Sequence, residues 1–92
     1  MLGSPMAKID TTNSTAGAIG RMVAFHRRAA GLSRLDLADL AGIGKTALFD
    51  IERGKATVRF ETLRRALAAL NITLRFESPL MSRFEEEPDA ER

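Results

Sequence analysis

Ninety-two residues, 45% of them apolar and 28% charged, are enough for one small globular domain. No run of about 18 apolar residues could span a membrane, no charged-then-apolar leader predicts a secretory signal, and the lack of cysteine excludes disulfides and zinc fingers and fits a reducing cytoplasm. The formal charge of +2 is unevenly divided: the first 80 residues carry twelve Lys/Arg against seven Asp/Glu, and the last twelve carry two against five, so a basic body precedes an acidic tail, a pattern that points to a polyanionic partner.

Taken in order, Met1–Pro5 reads as a vector remnant before a natural start at Met6, and residues 1–13 are polar, aperiodic and expected to be flexible. A first helix is expected over Ser14–Ala30, capped by Ser14 or Thr15, with Ile19, Met22, Val23 and Ala30 facing inward. Arg21, Arg27 and Arg28 crowd its later part, where cations suit the negative end of the helix dipole, and Gly31 stops it. Ser33 caps a second helix with Asp36 at its third position, close to a capping box. Leu35, Ala38 and Ala41, with Leu37 beside them, supply its apolar face, and Gly42 ends it in a left-handed turn plugged by Ile43. A third helix opens at Gly44 or its neighbour and ends at Gly54, with Leu48 and Ile51 inward and Lys45, Thr46, Phe49 and Asp50 outward. Two short helices about a tight turn, the second showing short polar groups outward, are the geometry a helix-turn-helix offers to a major groove.

After a connector, Phe60, Leu63, Leu67 and Leu70 mark a fourth helix, which Asn71 can cap in the left-handed region. The period then changes: Ile72, Leu74 and Phe76 alternate with Thr73, Arg75 and Glu77, which predicts a strand over 72–78 ended by Pro79. A lone strand leaves its N–H and C=O groups unpaired, and a domain this small buries little surface. Pairing with the same strand of a second copy across a two-fold axis answers both problems and predicts a homodimer. The expected organisation is therefore a mainly α domain of four to five helices over 14–79, with an intersubunit sheet and a disordered acidic tail over 80–92.

The stretch L-S-R-L-D-L-A-D-L-A-G-I-G-K-T-A-L-F-D-I-E-R-G-K, followed by F-E-T-L-R-R-A-L-A-A-L, resembles the Cro/phage-repressor (XRE) class of helix-turn-helix proteins through Ala38, Gly42, Leu48, Ile51, the E-R-G-K run and the E-T-L of helix four. G-K-A-T-V-R-F-E-T-L with the later I-T-L-R-F resembles a narrower branch, the HipB-like antitoxin regulators, and the likeness covers Ile19 to Glu77. The resemblance implies a lambda-repressor-like fold of five helices or fewer, a homodimer, a palindromic double-stranded DNA operator and autorepression. For the narrower branch it also implies a HipA-like serine/threonine kinase toxin that the protein binds and neutralises; the alternative is a stand-alone regulator with no toxin partner. Such a protein is expected in the cytoplasm, at the nucleoid.

In the family, the first turn of the third helix points at base edges, which assigns Lys45 to guanine and Thr46 to a base edge or a thymine methyl. Gly44 opens that turn. Ala47 lets the helix sink toward the groove floor, although alanine is also simply a good helix former. Phe49 has three readings: contact with a thymine methyl, contact with a neighbouring protein surface, or folding back over its own helix. Asp50 would be repelled by phosphates unless it accepts from cytosine or pairs internally, and Arg53 three residues on favours the internal pair. Arg34 replaces a glutamine common in the class, and its place at a helix start makes it a candidate phosphate clamp, with Ser33 adding a hydroxyl or amide donor. Arg53 and Lys55 flank the far end of helix three and are candidate clamps for further phosphates. The family pattern also implies that Arg27 and Glu52 form a structural ion pair that fixes the reading helix. The dimer strand is assigned to Ile72, Thr73, Leu74, Arg75 and Phe76.

Three features point elsewhere and fail. Gly44-Lys45-Thr46 matches the end of a phosphate-binding P-loop, but the glycine required five residues earlier is Asp39 and the preceding element is a helix. His26 is the only histidine, so there is no multi-histidine metal site and no choice of base for a Ser-His-Asp constellation; beside Arg27 and Arg28 it reads as a phosphate-side or surface residue. Glu85, Glu86 and Glu87 sit on the acidic tail and read as a solvated charge run. No enzyme activity, cofactor or metal is expected.

Overall fold

Thr15 starts the first helix by accepting from the amide of Ala18 at 3.3 Å, which leaves one fewer orphan donor in the first turn. The computed structural model describes residues 15–87; the expectations for residues 1–13, the Ser14 cap and the last part of the tail (88–92) lie outside them. Five helices follow in order: α1 (Ala16–Ala29), α2 (Arg34–Ala41), α3 (Lys45–Glu52), α4 (Phe60–Ala69) and α5 (Met81–Glu85).

Helix α2 is delimited by its own side chains. The Ser33 hydroxyl accepts from the Asp36 amide at 3.0 Å while Asp36 Oδ2 accepts from the Ser33 amide at 3.2 Å, a reciprocal capping box. At the other end Gly42 turns the chain with φ of 70°, where any β-carbon would be strained. Ile43, immediately after, packs against the core. Gly44 caps α3 without any side-chain hydrogen bond, so the first-turn amides of α3 have no side-chain acceptor from their own cap.

The core is Val23 from α1, Leu37 and Ala38 from α2, Leu48 and Ile51 from α3, and Ala66 and Leu67 from α4. Met22, Leu32, Val58, Leu63, Leu70 and Ile72 close around it. Helix α1 lies on α3, and α2 lies on both α3 and α4. The α1–α3 approach depends on Gly20: a β-carbon there would collide with the carbonyl oxygen of Ile51 and lie 2.7 Å from that of Glu52. These are the last backbone groups of α3, so Gly20 seats α1 directly on the end of that helix.

Several expectations from the sequence need correction. Leu35 is 55% exposed, whereas Leu37 is fully buried, because two residues on a helix are separated by roughly 200° and only the Leu37–Ala38–Ala41 stripe faces inward. Phe60 is 58% exposed. As the first residue of α4, its side chain leans back past the helix start, where no described element covers it. Ala30 is exposed, one residue beyond the end of α1. The acidic tail is not wholly irregular, since α5 occupies Met81–Glu85.

Asn71 does adopt the left-handed conformation (φ 60°), and the following Ile72 amide donates back to Leu67 O at 2.9 Å. Beyond it, the 72–78 segment has no regular secondary structure in the single chain, and there is no strand among the described residues. The ladder bonds that define a strand need a second strand, and the described residues supply none.

Gly20→Ala is expected to lower stability by about 1–3 kcal/mol through overpacking. Alanine's helix propensity, favourable by about 0.8–1.0 kcal/mol, acts in the opposite direction. Urea denaturation checks the sign: a lower midpoint at unchanged slope is the expected outcome.

Candidate nucleic-acid interface

The site is organised by one carboxylate. Glu52, the last residue of α3, accepts from Arg27 Nε at 2.6 Å and Nη2 at 3.1 Å, and from Arg34 Nε at 3.0 Å. Its side chain is only 4% exposed, against 10% for Arg27 and 45% for Arg34. Arg27 also donates from Nη1 to the Leu32 carbonyl at 2.9 Å, which ties the α1–α2 connection to the same group. Burial pushes the Glu52 carboxyl up, but the hydrogen bonds and charges of Arg27 and then Arg34 outweigh it and hold the group below the usual carboxylate range. Arg27 is correspondingly raised, chiefly by its hydrogen bond to Glu52.

Three helices therefore meet at Glu52, and this sets where the outward face of α3 sits relative to the start of α2. Lys45, Thr46 and Phe49 of α3 share an open depression with Arg34 and Leu35 of α2. Lys45 and Thr46 are exposed and head the helix, and Ala47 behind them is half-buried. Leu35, absent from the candidate residues read from sequence, supplies an apolar wall. The signal was present in its spacing of two from Leu37, which puts it on the outer side of α2.

Phe49 does not stand alone. The guanidinium carbons of Arg34 and Arg53 lie over its ring at 5.5 and 5.3 Å from the centroid. A second depression behind it is lined by Ala24, Arg28, Arg34, Phe49, Glu52 and Arg53. Arg28 is thus brought beside the candidate clamps although the sequence placed it only among the dipole-stabilising cations of α1. Asp50 is paired internally: its carboxylate lies 3.3 Å from Arg53 Nη2 and 3.5 Å from Lys55 Nζ, with its side chain 17% exposed. Arg53, which lines the second depression, and Lys55, which lines neither, are thus both engaged with an acid.

Ser33 is exposed but its amide is engaged with Asp36, so only its hydroxyl hydrogen is left to offer as a donor. His26 contributes to its own helix, with Nδ1 donating to Met22 O at 2.7 Å and its ring edge-on to Phe25. Residues Ile72–Phe76 line neither depression. The turn has a further brace that the sequence pattern did not expose: Glu61 accepts from Arg64 and Arg65, and Arg65 Nη1 donates to the Gly42 carbonyl at 3.2 Å. The two arginines hold the exposed Glu61 carboxyl down at about 2, through the hydrogen bond from Arg64 first.

A family model for helix-turn-helix proteins, HTH_3, matches residues 26–76. The chain belongs to this helix-turn-helix family, of the Cro/C1 (XRE) type, and is a DNA-binding transcriptional regulator. No curated protein matches the sequence. Among the described residues no helix is long and apolar enough to cross a membrane.

Arg27→Ala is expected to cost about 3–5 kcal/mol, because it strips the nearer partner from a buried carboxylate. Arg34→Ala should cost well under half of that, since Arg34 is half in solvent and Glu52 keeps its bond to Arg27. Chemical denaturation of both variants tests the order. The depressed Glu52 carboxyl binds its proton less readily folded than unfolded, so its contribution to stability is present above the unfolded-state value and is lost as pH falls through the folded one. As pH falls below the ordinary carboxylate value of 4.5, the wild type should lose more stability than Glu52→Gln. Comparing the two removes the parallel titration of Glu61, which both proteins share.

Proposed function

We propose that the protein is a homodimeric repressor that binds a palindromic operator, with α3 of each copy in the major groove. The observation that carries this reading is the open depression in which exposed Lys45 and Thr46 at the head of α3 stand beside Arg34 at the head of α2. In the proposed complex Lys45 and Thr46 contact base edges. Arg34, Arg53 and Lys55 contact phosphates, with Ser33 adding its hydroxyl donor, Gly44 and Ala47 allowing close approach, and Asp50 balancing the charge of its neighbours.

Dimerisation through 72–78 is supported by two features: the alternation of its side chains, and the exposure of Leu74 (41%) and Phe76 (68%) in a single copy. A two-fold built on that segment would set the two α3 helices about 34 Å apart, or a multiple of it, to meet successive half-sites.

The likeness to HipB-like regulators extends the proposal to a second activity, restraint of a HipA-like serine/threonine kinase toxin. Its support is the Thr57-Val58-Arg59 stretch and the 72–76 pattern. A kinase gene of that class beside this one, with co-purification of the two products, supports the antitoxin role; without such a neighbour the protein is a stand-alone regulator.

Fluorescence-anisotropy titrations against operator and scrambled duplexes test the DNA reading. Affinity should fall with salt at a slope near −0.9 per phosphate neutralised. Lys45→Ala should cost about 1–3 kcal/mol at one base pair, whereas Arg34→Ala should weaken all sequences alike. Absence of salt-sensitive DNA binding would overturn the proposal.

A further inference from the structure

We infer that Phe49 is a positioning residue for the DNA backbone: its ring holds Arg34 and Arg53, which come from different helices, as one preorganised pair of phosphate-binding guanidiniums. This rests on the DNA-binding reading and goes beyond it by giving the outward aromatic a role other than base contact. Arg34 is the first residue of α2 and Arg53 follows the last residue of α3, so no local hydrogen-bond pattern brings them together. Both guanidinium carbons nevertheless lie over one ring, at 5.5 and 5.3 Å. That range is where the ring quadrupole attracts a cation.

Carboxylates temper the positive charge. Each guanidinium meets a different one, Glu52 (which also holds Arg27) at 3.0 Å from Arg34 Nε and Asp50 (which also lies beside Lys55) at 3.3 Å from Arg53 Nη2. The acids offset the repulsion between like charges and fix one side of each fork, while the side chains of Arg34 and Arg53 stay 45% and 59% exposed. A guanidinium has five N–H donors, so one carboxylate contact leaves donors for phosphate oxygens. Long arginine side chains otherwise lose rotamer freedom on binding. A ring that already orders them removes part of that cost before DNA arrives. Arg28, lining the same depression, adds positive charge at its edge. Phe49 is 44% exposed, so its ring is not a core element whose loss unfolds the domain.

The test uses the full chain with Phe49→Leu and Phe49→Tyr. In the free protein, the side-chain Nε–H resonances of Arg34 and Arg53 should carry a ring-current shift in the wild type and Phe49→Tyr that disappears in Phe49→Leu. On DNA, Phe49→Leu should weaken operator and scrambled duplexes together by roughly tenfold and reduce the salt slope by about 1 to 2, with Phe49→Tyr restoring both. Thermal melts of the variants confirm that each is folded. Unshifted arginine resonances in the wild type would overturn the stacking itself. A Phe49→Leu variant that loses preference at one base pair with an unchanged salt slope would make the ring a base reader and overturn the inference while leaving the DNA reading intact. Failure of the wild type to bind DNA, by contrast, would remove the parent reading along with it.

Discussion

The outward face of α3 and the head of α2 take their relative positions from the buried Glu52 carboxylate and the two arginines that share it. A carboxylate this enclosed is costly unless paired, and the cost rises steeply if a partner is removed. The three side chains come from α1, the head of α2 and the tail of α3, so the pairing is also a statement about how three helices must be arranged. Arg27 adds a bond to the Leu32 carbonyl, and Gly20 lets α1 approach the end of α3 closely enough for the pair to form. Hydrophobic burial of Val23, Leu37, Leu48 and Ile51 drives the helices together without direction, and the ion pair supplies the direction.

The same logic continues onto the surface. A DNA-facing patch crowded with guanidiniums repels itself before it meets a phosphate, and free carboxylates there would repel the phosphate. Here the acids on the patch are matched to cations: Glu52 to Arg27 and Arg34, and Asp50 to Arg53 and Lys55. Among the described residues, the head of α3, with Lys45 and Thr46, has no such partner in the depression it shares with α2. The patch is thereby divided into an ordered rim of paired arginines and an open centre, the arrangement on which the proposed split between positioning contacts and base contacts rests.

The turn and the C-terminal segment contrast in how they are supported. The turn at Gly42 is held locally by its left-handed glycine and the capping box before it, and from outside by Arg65 on α4, itself oriented by Glu61. The 72–78 segment has the alternation of a strand but forms no strand ladder among the described residues, and it is irregular beyond the Ile72 anchor. Leu74 and Phe76 remain largely in solvent there, the opposite of what their hydrophobicity favours.

What the sequence determined by itself was local. The start and stop of α2, the left-handed turns at Gly42 and Asn71, the apolar pair Leu48 and Ile51, and the outward side of α3 all follow from neighbours a few residues apart, because caps, turns and helix periodicity are short-range physics. Where apolar residues exceeded the available core, periodicity could not choose among them: Leu35 and Phe60 fitted a stripe but lie outside, while Ala66, small and easily overlooked, is fully buried where α4 meets the core. Only the tertiary structure decided the environment of Phe49 and the shared acceptor role of Glu52. Arg34 and Arg53 are nineteen positions apart in the chain and meet because α2 and α3 pack at one angle, and no spacing rule encodes that angle. Side chains that act on their own turn were legible in one dimension; those that act across helices needed the packing of the core to bring them together.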